Sequence, residues 1–499
     1  MLKGILKGAG TDALKYFPVR LVPALTSLVT VPVFTNLIDR ADYGDFALIS
    51  SAAGLASIVA TSWINGSIVR FYWSYEKQGR RDDYVGTTVW SLLATLASAA
   101  LVLFAGVWIF RDSIPPSLLR LVPVGVASLV ANHLVMSLLQ VFRAANKASA
   151  YANYSVASTL LGTALSVFFV TVTKMGAFGI LLGVVVGNAL LVPFALRSVS
   201  RHGSIAPTHI RRDVLRDFVT YGFPLVPAAI SSWLLVLADR YVIGFVQTSA
   251  EVGLYSVAYG LGEKIMHLVI LPLTITMGPV MIQTFEKQGQ ALAEQVQTQF
   301  TRYFSMVTFP LLFGMAAVAR HFMGVFTGPE YRSAYPILAI VSAGAMCYGL
   351  VQIAGTGVAL HKKTTITMTN TLTAAAFNIV ANLLLVPIYG YMAAAYTTFA
   401  AYLLLLGLTW VRSRPYMAWR VPWLDLGRVA VASAVMAGAI MLAFSRFQAS
   451  VWVLLAEVLV GMVVYAIALF VVGGVRADER AFARELAARA ATKLGLKRP

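Results

Sequence analysis

Charge and cysteine are both scarce in this sequence. Only 12% of the 499 residues are Asp, Glu, Lys or Arg, and Cys347 is the single cysteine. A soluble globular domain usually carries about 25% charged residues, so a soluble fold is excluded. One cysteine cannot build a disulfide framework, a CxxC redox motif or a cysteine-based zinc site.

Sequence motifs for catalysis and for nucleotide binding are also missing. No GxxxxGK[ST] is present, which excludes the phosphate-binding loop of a nucleotide-driven pump. The six histidines are scattered, and neither a metal-ligand cluster nor a Ser/His/Asp set can be assembled. The longest loop, between Arg197 and Asp217, is too short to form a catalytic domain. These absences favour a protein that carries a substrate without converting it, and that uses no metal and no cofactor.

Long apolar runs dominate what the sequence does contain. Hydrophobic residues make up 59% of the chain, and the mean hydropathy is +0.76. A helix needs roughly 20 apolar residues to cross about 30 Å of hydrocarbon. The runs predict fourteen membrane-spanning helices, so we expect an all-α, polytopic membrane protein. The predicted spans lie near residues 16–37, 44–70, 85–110, 119–143, 150–173, 177–197, 218–246, 252–283, 300–326, 335–360, 364–388, 391–411, 428–446 and 451–473.

The positive charges indicate how these helices are oriented. Most of the 39 Lys and Arg residues lie in the two termini and in every second loop. Because positively charged loops stay in the cytoplasm, both termini are predicted to be cytoplasmic. Topology and anionic membrane lipid then account for the net charge of +18, and no nucleic-acid partner is expected. Residues 1–15 and 476–499 are basic and amphipathic, which is typical of helices on the cytoplasmic lipid surface.

Three short matches indicate that a six-helix unit is duplicated. They are Leu21-Val22-Pro23-Ala24-Leu25-Thr26-Ser27 with Leu225-Val226-Pro227-Ala228-Ala229-Ile230-Ser231, Asn146-Lys147-Ala148 with Lys362-Lys363-Thr364, and Gly176-Ala177-Phe178-Gly179 with Gly390-Tyr391-Met392-Ala393. An even number of spans per repeat gives both halves the same orientation, a transporter plan in which substrate binds at the interface of the repeats. We therefore expect pseudo-symmetric lobes. The domains are an N-lobe at 1–200 (spans 1–6), a C-lobe at 201–415 (spans 7–12), spans 13 and 14 at 416–475, and a tail at 476–499.

Ionisable residues inside the predicted spans are the candidates for a binding site. A charged residue at the centre of a spanning helix costs about 2.5–3.5 kcal/mol on insertion scales, so such residues are usually functional. Together they can line a cationic cavity that suits an anionic head group such as a pyrophosphate. The candidate substrate-binding residues are Lys264, Arg240, Arg20, Arg70, Arg143, His133 and His267.

Several of these residues also have a structural interpretation. Arg20, Arg70 and Arg143 lie near the predicted cytoplasmic ends of their spans, where long side chains snorkel to the interface. His133 and His267 lie deeper and can be interior histidines with satisfied hydrogen bonds. The sequence does not choose between these roles and a place in the cavity.

Asp239 and Glu263 are the acidic residues that lie beside these cations. Arg240 can pair with the adjacent Asp239, and Glu263 can partner Lys264 through a neighbouring helix. Lys264 lies near mid-bilayer in span 8, out of reach of either helix end. Asp239 and Glu263, and Glu457 in span 14, are also candidates for coupling transport to protons or sodium. The sequence leaves open whether any of them does so, and whether the membrane potential supplies the energy.

Prolines are concentrated in the first span of each predicted lobe. Pro18, Pro23 and Pro32 lie in span 1, while Pro224 and Pro227 lie in span 7. Proline removes a backbone hydrogen bond and permits a spanning helix to bend. Equivalent kinks in the two lobes are therefore expected, either as flexing points or as static features of packing.

Several short segments of the chain form a recognisable set of motifs. They are Tyr221-Gly222-Phe223-Pro224-Leu225-Val226-Pro227, Ser231-Ser232-Trp233, Asp239-Arg240-Tyr241, Gly244, Glu251-Val252-Gly253-Leu254-Tyr255-Ser256, Thr327-Gly328-Pro329-Glu330-Tyr331, His361-Lys362-Lys363-Thr364 and Asn378 to Tyr396. These segments resemble polysaccharide flippases of the Wzx type, which belong to the superfamily of multidrug, oligosaccharidyl-lipid and polysaccharide exporters. The resemblance covers most of the chain. It implies two six-helix lobes in a V shape, with spans 13 and 14 added, around a positively charged lumen.

The same resemblance implies a flippase for glycan linked to undecaprenyl pyrophosphate in the bacterial inner membrane. Other polysaccharide assembly proteins are then possible partners. A cation-coupled drug exporter is the main alternative, although spans 1–6 lack the mid-depth acidic residues expected of one. A peptidoglycan-precursor flippase shares the architecture, and a membrane-embedded polymerase is disfavoured by the missing catalytic loop.

Overall fold

The computed structural model describes residues 2–476 and residue 479, and this part of the chain consists of helices joined by short loops, without strands. The α-helices are α1 (Leu2–Leu37), α2 (Arg40–Lys77), α3 (Arg81–Phe110), α4 (Pro116–Ala144), α5 (Ala148–Thr171), α6 (Gly176–Val199), α7 (Arg212–Gly222), α8 (Val226–Val246), α9 (Ser249–Gln288), α10 (Gln290–Phe326), α11 (Tyr335–Ala354), α12 (Thr356–Leu360), α13 (Thr364–Tyr389), α14 (Tyr391–Ser413), α15 (Trp423–Phe444) and α16 (Val451–Val471). Apart from Arg476 and Glu479, the predicted tail helix lies outside the described residues.

The helices are long and apolar enough to cross a membrane many times. Within the described residues there are 13 such helices, and Leu21–Leu37 of α1 is a shorter apolar helix. In order, these match the fourteen predicted spans, so the prediction of an all-α polytopic membrane protein is confirmed. Large apolar side chains point outward, including Phe245, Leu442 and Trp452, which are 91%, 85% and 79% exposed. Such a surface suits a hydrocarbon solvent.

Several helices extend further than their apolar cores. Residues 284–299 separate two predicted spans, yet they are helical, and only Gly289 (φ 83°) interrupts the passage from α9 to α10. The predicted kinks are also unequal. Span 7 breaks at a 3-10 turn over Phe223–Leu225, whereas α1 continues through Pro18 and Pro23 without interruption.

Two groups of six spans repeat the same packing. In the first group α5 packs on α6 and on α1, and α4 packs on α2 and α6. In the second group α13 packs in the same way on α14 and α8, and α11 packs on α9 and α14. The lobes are therefore two copies of one arrangement, as the pseudo-symmetric fold predicted from the sequence requires.

The backbone repeats at the positions where the sequence suggested duplication. Asn146 before α5 and Lys362 before α13 both adopt positive φ, at 56° and 59°. Gly176 and Gly390, at the turns that open α6 and α14, have φ of 55° and 72°. Left-handed backbone is uncommon for residues other than glycine, so its recurrence at Asn146 and Lys362 supports the duplication independently of composition.

The hairpin of α15 and α16 is attached to the C-lobe along α10. Arg302 of α10 is fully buried at one end of this contact. Its guanidinium donates to Glu479 and, over 2.8 Å, to the carbonyl of Gly474, and its Nε lies 3.3 Å from Asp425. The carboxylates of Asp425 and Glu479 thus compensate a charge that could not be buried alone.

Candidate functional site

The lobes meet closely on one face of the membrane, here called the distal face, where α1 ends and α2 begins. The α2 and α9 backbones cross at Gly44 and Gly253. A Cβ on Gly44 would lie 1.7 Å from the Ser249 carbonyl oxygen, and one on Gly253 would lie 2.1 Å from the Arg40 carbonyl oxygen. Only glycine permits this approach. The Ser249 hydroxyl also donates to the buried carboxylate of Asp45 over 2.5 Å.

A second distal contact joins α1 to the segment that follows α10. The amide of Gly328 donates to the Thr35 hydroxyl over 2.9 Å, and the Tyr331 hydroxyl donates to the Ile38 carbonyl over 3.3 Å. Arg40 and Glu330 lie 3.5 Å apart and are well exposed, so that ion pair adds little stability. The buried hydrogen bonds and the glycine crossing close the distal face.

The lobes also meet along α2 and α8 and through the short helix α7. Tyr241 of α8 lies 3.0 Å from the Ser51 hydroxyl and donates to the Leu48 carbonyl over 3.2 Å. The segment between the lobes docks on the N-lobe, where Tyr75 donates to Asp217 over 2.6 Å. The segment that connects the two lobes is thus packed against the N-lobe.

Lys264 lies on the face of α9 that turns toward the N-lobe. It follows Gly253 by about three helical turns, so the two residues share one face of the helix. Between them, a Cβ on Gly260 would meet no atom within 4 Å, and the Lys264 side chain is exposed. Among the described residues, no carboxylate lies within ion-pair distance of it. The helices therefore separate beyond Gly253, and Lys264 lies on the open part of the α9 face that turns toward the N-lobe. The space between the lobes is here called the lumen.

Asp239 and Arg240 form a buried cluster with two tyrosines of α9. Arg240 donates to Asp239 over 3.3 Å and to the Val236 carbonyl over 3.1 Å. Its guanidinium lies 5.8 Å and 4.9 Å from the ring centres of Tyr255 and Tyr259, a cation–π arrangement. Tyr255 donates to the other oxygen of Asp239. Arg240 is only 7% exposed, so it does not reach the lumen in this conformation.

Glu263 and His267 border a small cavity inside the C-lobe, between α9, α11 and α14. Tyr259, Tyr348, Tyr402 and Thr398 complete its polar lining. The His267 ring lies 3.1 Å from the Glu263 backbone carbonyl and 4.0 Å from its carboxylate. The structure thus places both residues beside the Asp239–Arg240 cluster, while Lys264 faces away from it.

The predicted N-lobe residues lie apart from this cluster. Arg70 is exposed, with its guanidinium 5.8 Å from the ring centre of Phe71, and Arg143 is exposed beside Gln140, 3.4 Å away. His133 is half-buried on α4. The side chain of Arg20, the seventh predicted cation, lies outside the described residues.

Sequence reasoning missed the tyrosines and the distal contacts. Tyr255, Tyr259 and Glu263 recur at four-residue intervals, which is the spacing of one helix face, so this signal was available. Nothing in the sequence pairs Gly44 with Gly253, because that contact joins two lobes. Within the described part of the chain, no group of three His, Cys, Asp or Glu side chains could hold a metal ion.

Comparison with known proteins gives one family and one fold. A family model described as polysaccharide biosynthesis protein matches residues 11–285, more than half of the chain. No curated protein sequence is significantly similar. Among solved structures, a lipid II flippase, MurJ, in an inward closed conformation is similar with a TM-score of 0.71 and 15% identity, over 92% of this chain and 97% of that one.

Multidrug transporters share the fold at lower similarity. An outward-facing MATE family transporter of the MOP superfamily aligns with a TM-score of 0.59 and 12% identity, over 82% of this chain and 95% of that one. A mutant of the MATE transporter VcmN of Vibrio cholerae gives a TM-score of 0.55 and 13% identity, over 83% and 97%. At such identities the likeness establishes the fold alone.

Proposed function

Because the chain belongs to the polysaccharide biosynthesis protein family, we propose that it is a flippase for oligosaccharide linked to undecaprenyl pyrophosphate. It moves this lipid from the inner to the outer leaflet of the bacterial inner membrane and so supplies the synthesis of exopolysaccharide, capsule or O-antigen. Both termini lie in the cytoplasm, and the distal face is the outer one.

The exposed position of Lys264 carries this proposal. A pyrophosphate and its sugars cannot enter hydrocarbon unaided, because an unpaired buried charge is very costly. Lys264 offers an unpaired positive charge in the lumen, on the helix that also forms the distal contact at Gly253. Arg70 and Arg143 are exposed cations of the other lobe, and in the proposal they receive the head group first.

Transport then follows from alternating closure of the two faces. The structure has the distal contacts closed, so we assign it to the state that loads substrate from the cytoplasm. Separating the lobes at Gly44 and Gly253 would release the head group outward, while the lipid tail stays in the membrane. Arg240, which lies behind Tyr255 and Tyr259, contributes to the positive potential of the lumen. Asp239 and Glu263 couple the transport cycle to an ion.

The experiment is a leaflet-specific assay in proteoliposomes with lipid-linked oligosaccharide. We expect Lys264→Ala to slow transfer about tenfold or more, since a charged hydrogen bond is worth roughly 1.5–3 kcal/mol. Lys264→Arg should retain most of the activity. Lys287→Ala, which removes another exposed lysine of α9, is the matched control and should behave as wild type.

Two alternatives give different results in the same assay. A peptidoglycan-precursor flippase, an alternative supported by the structural likeness to the lipid II flippase, would transfer lipid II in preference to other oligosaccharide lipids. A cation-coupled drug exporter would transfer neither lipid. In the native host, deletion should cause the lipid-linked repeat unit to accumulate on the inner leaflet, and accumulation of lipid II instead would reject the proposal.

A further inference from the structure

His321 of α10 and Glu457 of α16 form a buried pair outside the lumen. His321 Nδ1 lies 2.6 Å from Glu457 Oε1, and the two residues are 7% and 1% exposed. His321 Nε2 lies 3.0 Å from the backbone carbonyl of Phe447, in the loop between α15 and α16. The transport cycle described above uses neither side chain.

The hydrogen-bond geometry fixes how many protons this pair can hold. A backbone carbonyl only accepts, so Nε2 of His321 carries a hydrogen and donates it to Phe447. The short contact between Nδ1 and Oε1 then requires one more proton, carried either by the imidazole or by the carboxyl group. Without it, a nitrogen lone pair would face a buried carboxylate. With a second proton on Oε2 of Glu457, an O–H would be buried at an atom that has no hydrogen-bond partner among the described residues.

We propose that His321 and Glu457 bind a single exchangeable proton and that this proton fastens the α15–α16 hairpin to the distal end of α10. No other charged residue lies in α16. On α15, Asp425 and Arg428 lie at the opposite end of the helix. Arg320 of α10 and Arg446 of the loop are exposed to solvent. Tyr465 of α16 donates to the Met306 carbonyl of α10 over 2.7 Å, and Glu479 pairs with Arg302, but both contacts lie toward the other end of α10. The pair is therefore the titratable group on which the distal end of this contact depends.

The site lies about two helical turns before the distal contact between the lobes. The α10 helix ends at Phe326, and Gly328 then donates to Thr35 of α1. A proton that holds α10 against α16 thus also holds the segment that closes the distal face. This inference does not depend on which substrate is carried, so it stands or falls separately from the proposed flippase activity.

The test is the pH dependence of unfolding of the full chain in detergent. In an unfolded chain, histidine loses its proton near about pH 6.5, whereas the folded pair keeps one. Above that pH the folded state therefore holds more protons than the unfolded state, and stability falls as pH rises, by up to about tenfold in the folding constant per pH unit. Glu457→Gln should remove this dependence, because its amide can donate to Nδ1 without a titratable proton.

The control is Glu330→Gln, which removes an exposed carboxylate on the same face and should keep the wild-type pH profile. A Glu457→Gln profile with the wild-type slope would overturn the proposal. Should that variant not fold, the wild-type chain with ¹⁵N-labelled histidine decides the question. Above about pH 6.5, one of its six histidines must combine an Nε2 hydrogen with an Nδ1 ¹⁵N resonance displaced from that of a free imidazole nitrogen, because Nδ1 still shares the proton of the pair. Six histidines that all titrate as free imidazole would equally overturn it.

Discussion

The Asp239–Arg240 pair shows how this membrane protein compensates charged side chains that are buried. Both side chains are buried, and the guanidinium lies between its carboxylate and two tyrosine rings. Two charges taken out of water are tolerated only when their geometry and hydrogen bonds are good. Tyr255 supplies the additional hydrogen bond to Asp239, so the cluster acts as one unit.

Arg240→Ala should therefore destabilise the protein, since it leaves the Asp239 carboxylate buried and uncompensated. Breaking a buried ion pair from one side typically costs about 3–5 kcal/mol. We expect a lower thermal midpoint and reduced abundance in the membrane. The double variant Asp239→Asn with Arg240→Leu removes both charges and should recover part of that loss. Unchanged stability of the single variant would contradict this account of the cluster.

Sequence reasoning located these charges but could not decide which way each one faces. Lys264 and Glu263 are neighbours in the chain, yet Lys264 is exposed toward the lumen and Glu263 borders a cavity within the C-lobe. One residue of displacement rotates a side chain by about 100° around a helix. A charge inside an apolar run is visible in a sequence, but its direction depends on which helices pack beside it.

Helix α9 links the lumen to the distal contact. Gly253 lies at the crossing with α2, and Lys264 lies on the same face further along. The two glycines of the crossing admit no side chain, because a Cβ would collide with backbone atoms that cannot rotate away. This is a constraint on the closed distal face alone, since separated lobes would leave space for the added group.

Gly253→Ala should consequently disfavour closure of the distal face without preventing folding of either lobe. The added Cβ would lie 2.1 Å from the Arg40 carbonyl oxygen, so α2 and α9 must move apart. We expect greater labelling of a cysteine placed at Thr35 by an impermeant reagent from the distal side, together with slower transport. Gly260→Ala, on the same face but with no atom within 4 Å of the new Cβ, should label as the parent does.

The segment after α16 is held to α10 by an ion-pair cluster whose pH response can be assigned. The hydrogen bond from Arg302 lowers the pKa of the Glu479 carboxyl to about 2. A lowered pKa contributes stability that is complete above the ordinary value and is lost as pH falls through the folded value. The contribution of Glu479 should thus persist at neutral pH and decline only between about pH 4.5 and pH 2.

Glu479→Gln should lower the thermal midpoint at pH 7, because it leaves the buried Arg302 with Asp425 as its main counter-charge. The difference between the variant and the wild type should shrink as the pH is lowered below about 4.5. Glu286→Gln, at an exposed position of α9, serves as the control. A difference that is the same at every pH would show that Glu479 acts through packing and not through its charge.

The order of the spanning helices could be predicted from the sequence, because each one contains a long apolar run. The repeat was also visible in the sequence, through matches such as Asn146-Lys147-Ala148 with Lys362-Lys363-Thr364. In the structure Asn146 and Lys362 occupy equivalent left-handed turns. The long extensions of α9 and α10 were not visible in the sequence, because residues 284–299 are polar and continue the helices beyond their apolar cores. The attachment of α7 to the N-lobe through Tyr75 and Asp217 was likewise hidden, since it joins side chains far apart in the chain.

Considered as a whole, the molecule is two similar lobes, and in the proposed function their relative motion determines access to the lumen. Each lobe contains apolar clusters of its own, while a further cluster joins Val31, Ala47 and Leu48 of the N-lobe to the C-lobe. Small residues such as Gly183 and Gly187 hold helices of the N-lobe in close contact. In the proposed cycle the two lobes move as rigid bodies. Function then depends on the few contacts that break and re-form between them, of which Asp45–Ser249, Thr35–Gly328 and Ile38–Tyr331 are the hydrogen bonds on the distal face.

A disulfide across that face should stop transport reversibly. The side-chain oxygens of Asp45 and Ser249 lie 2.5 Å apart, so Asp45→Cys with Ser249→Cys places two thiols within bonding reach when the face is closed, and the native Cys347 is buried away from them. Oxidation should reduce transfer of the lipid-linked substrate to background, and reductant should restore the unoxidised rate. Each single variant is the control, because neither can form the bond. If the cross-linked protein transported at its reduced rate, separation of the lobes at α2 and α9 could not be the outward step, and release would have to occur elsewhere.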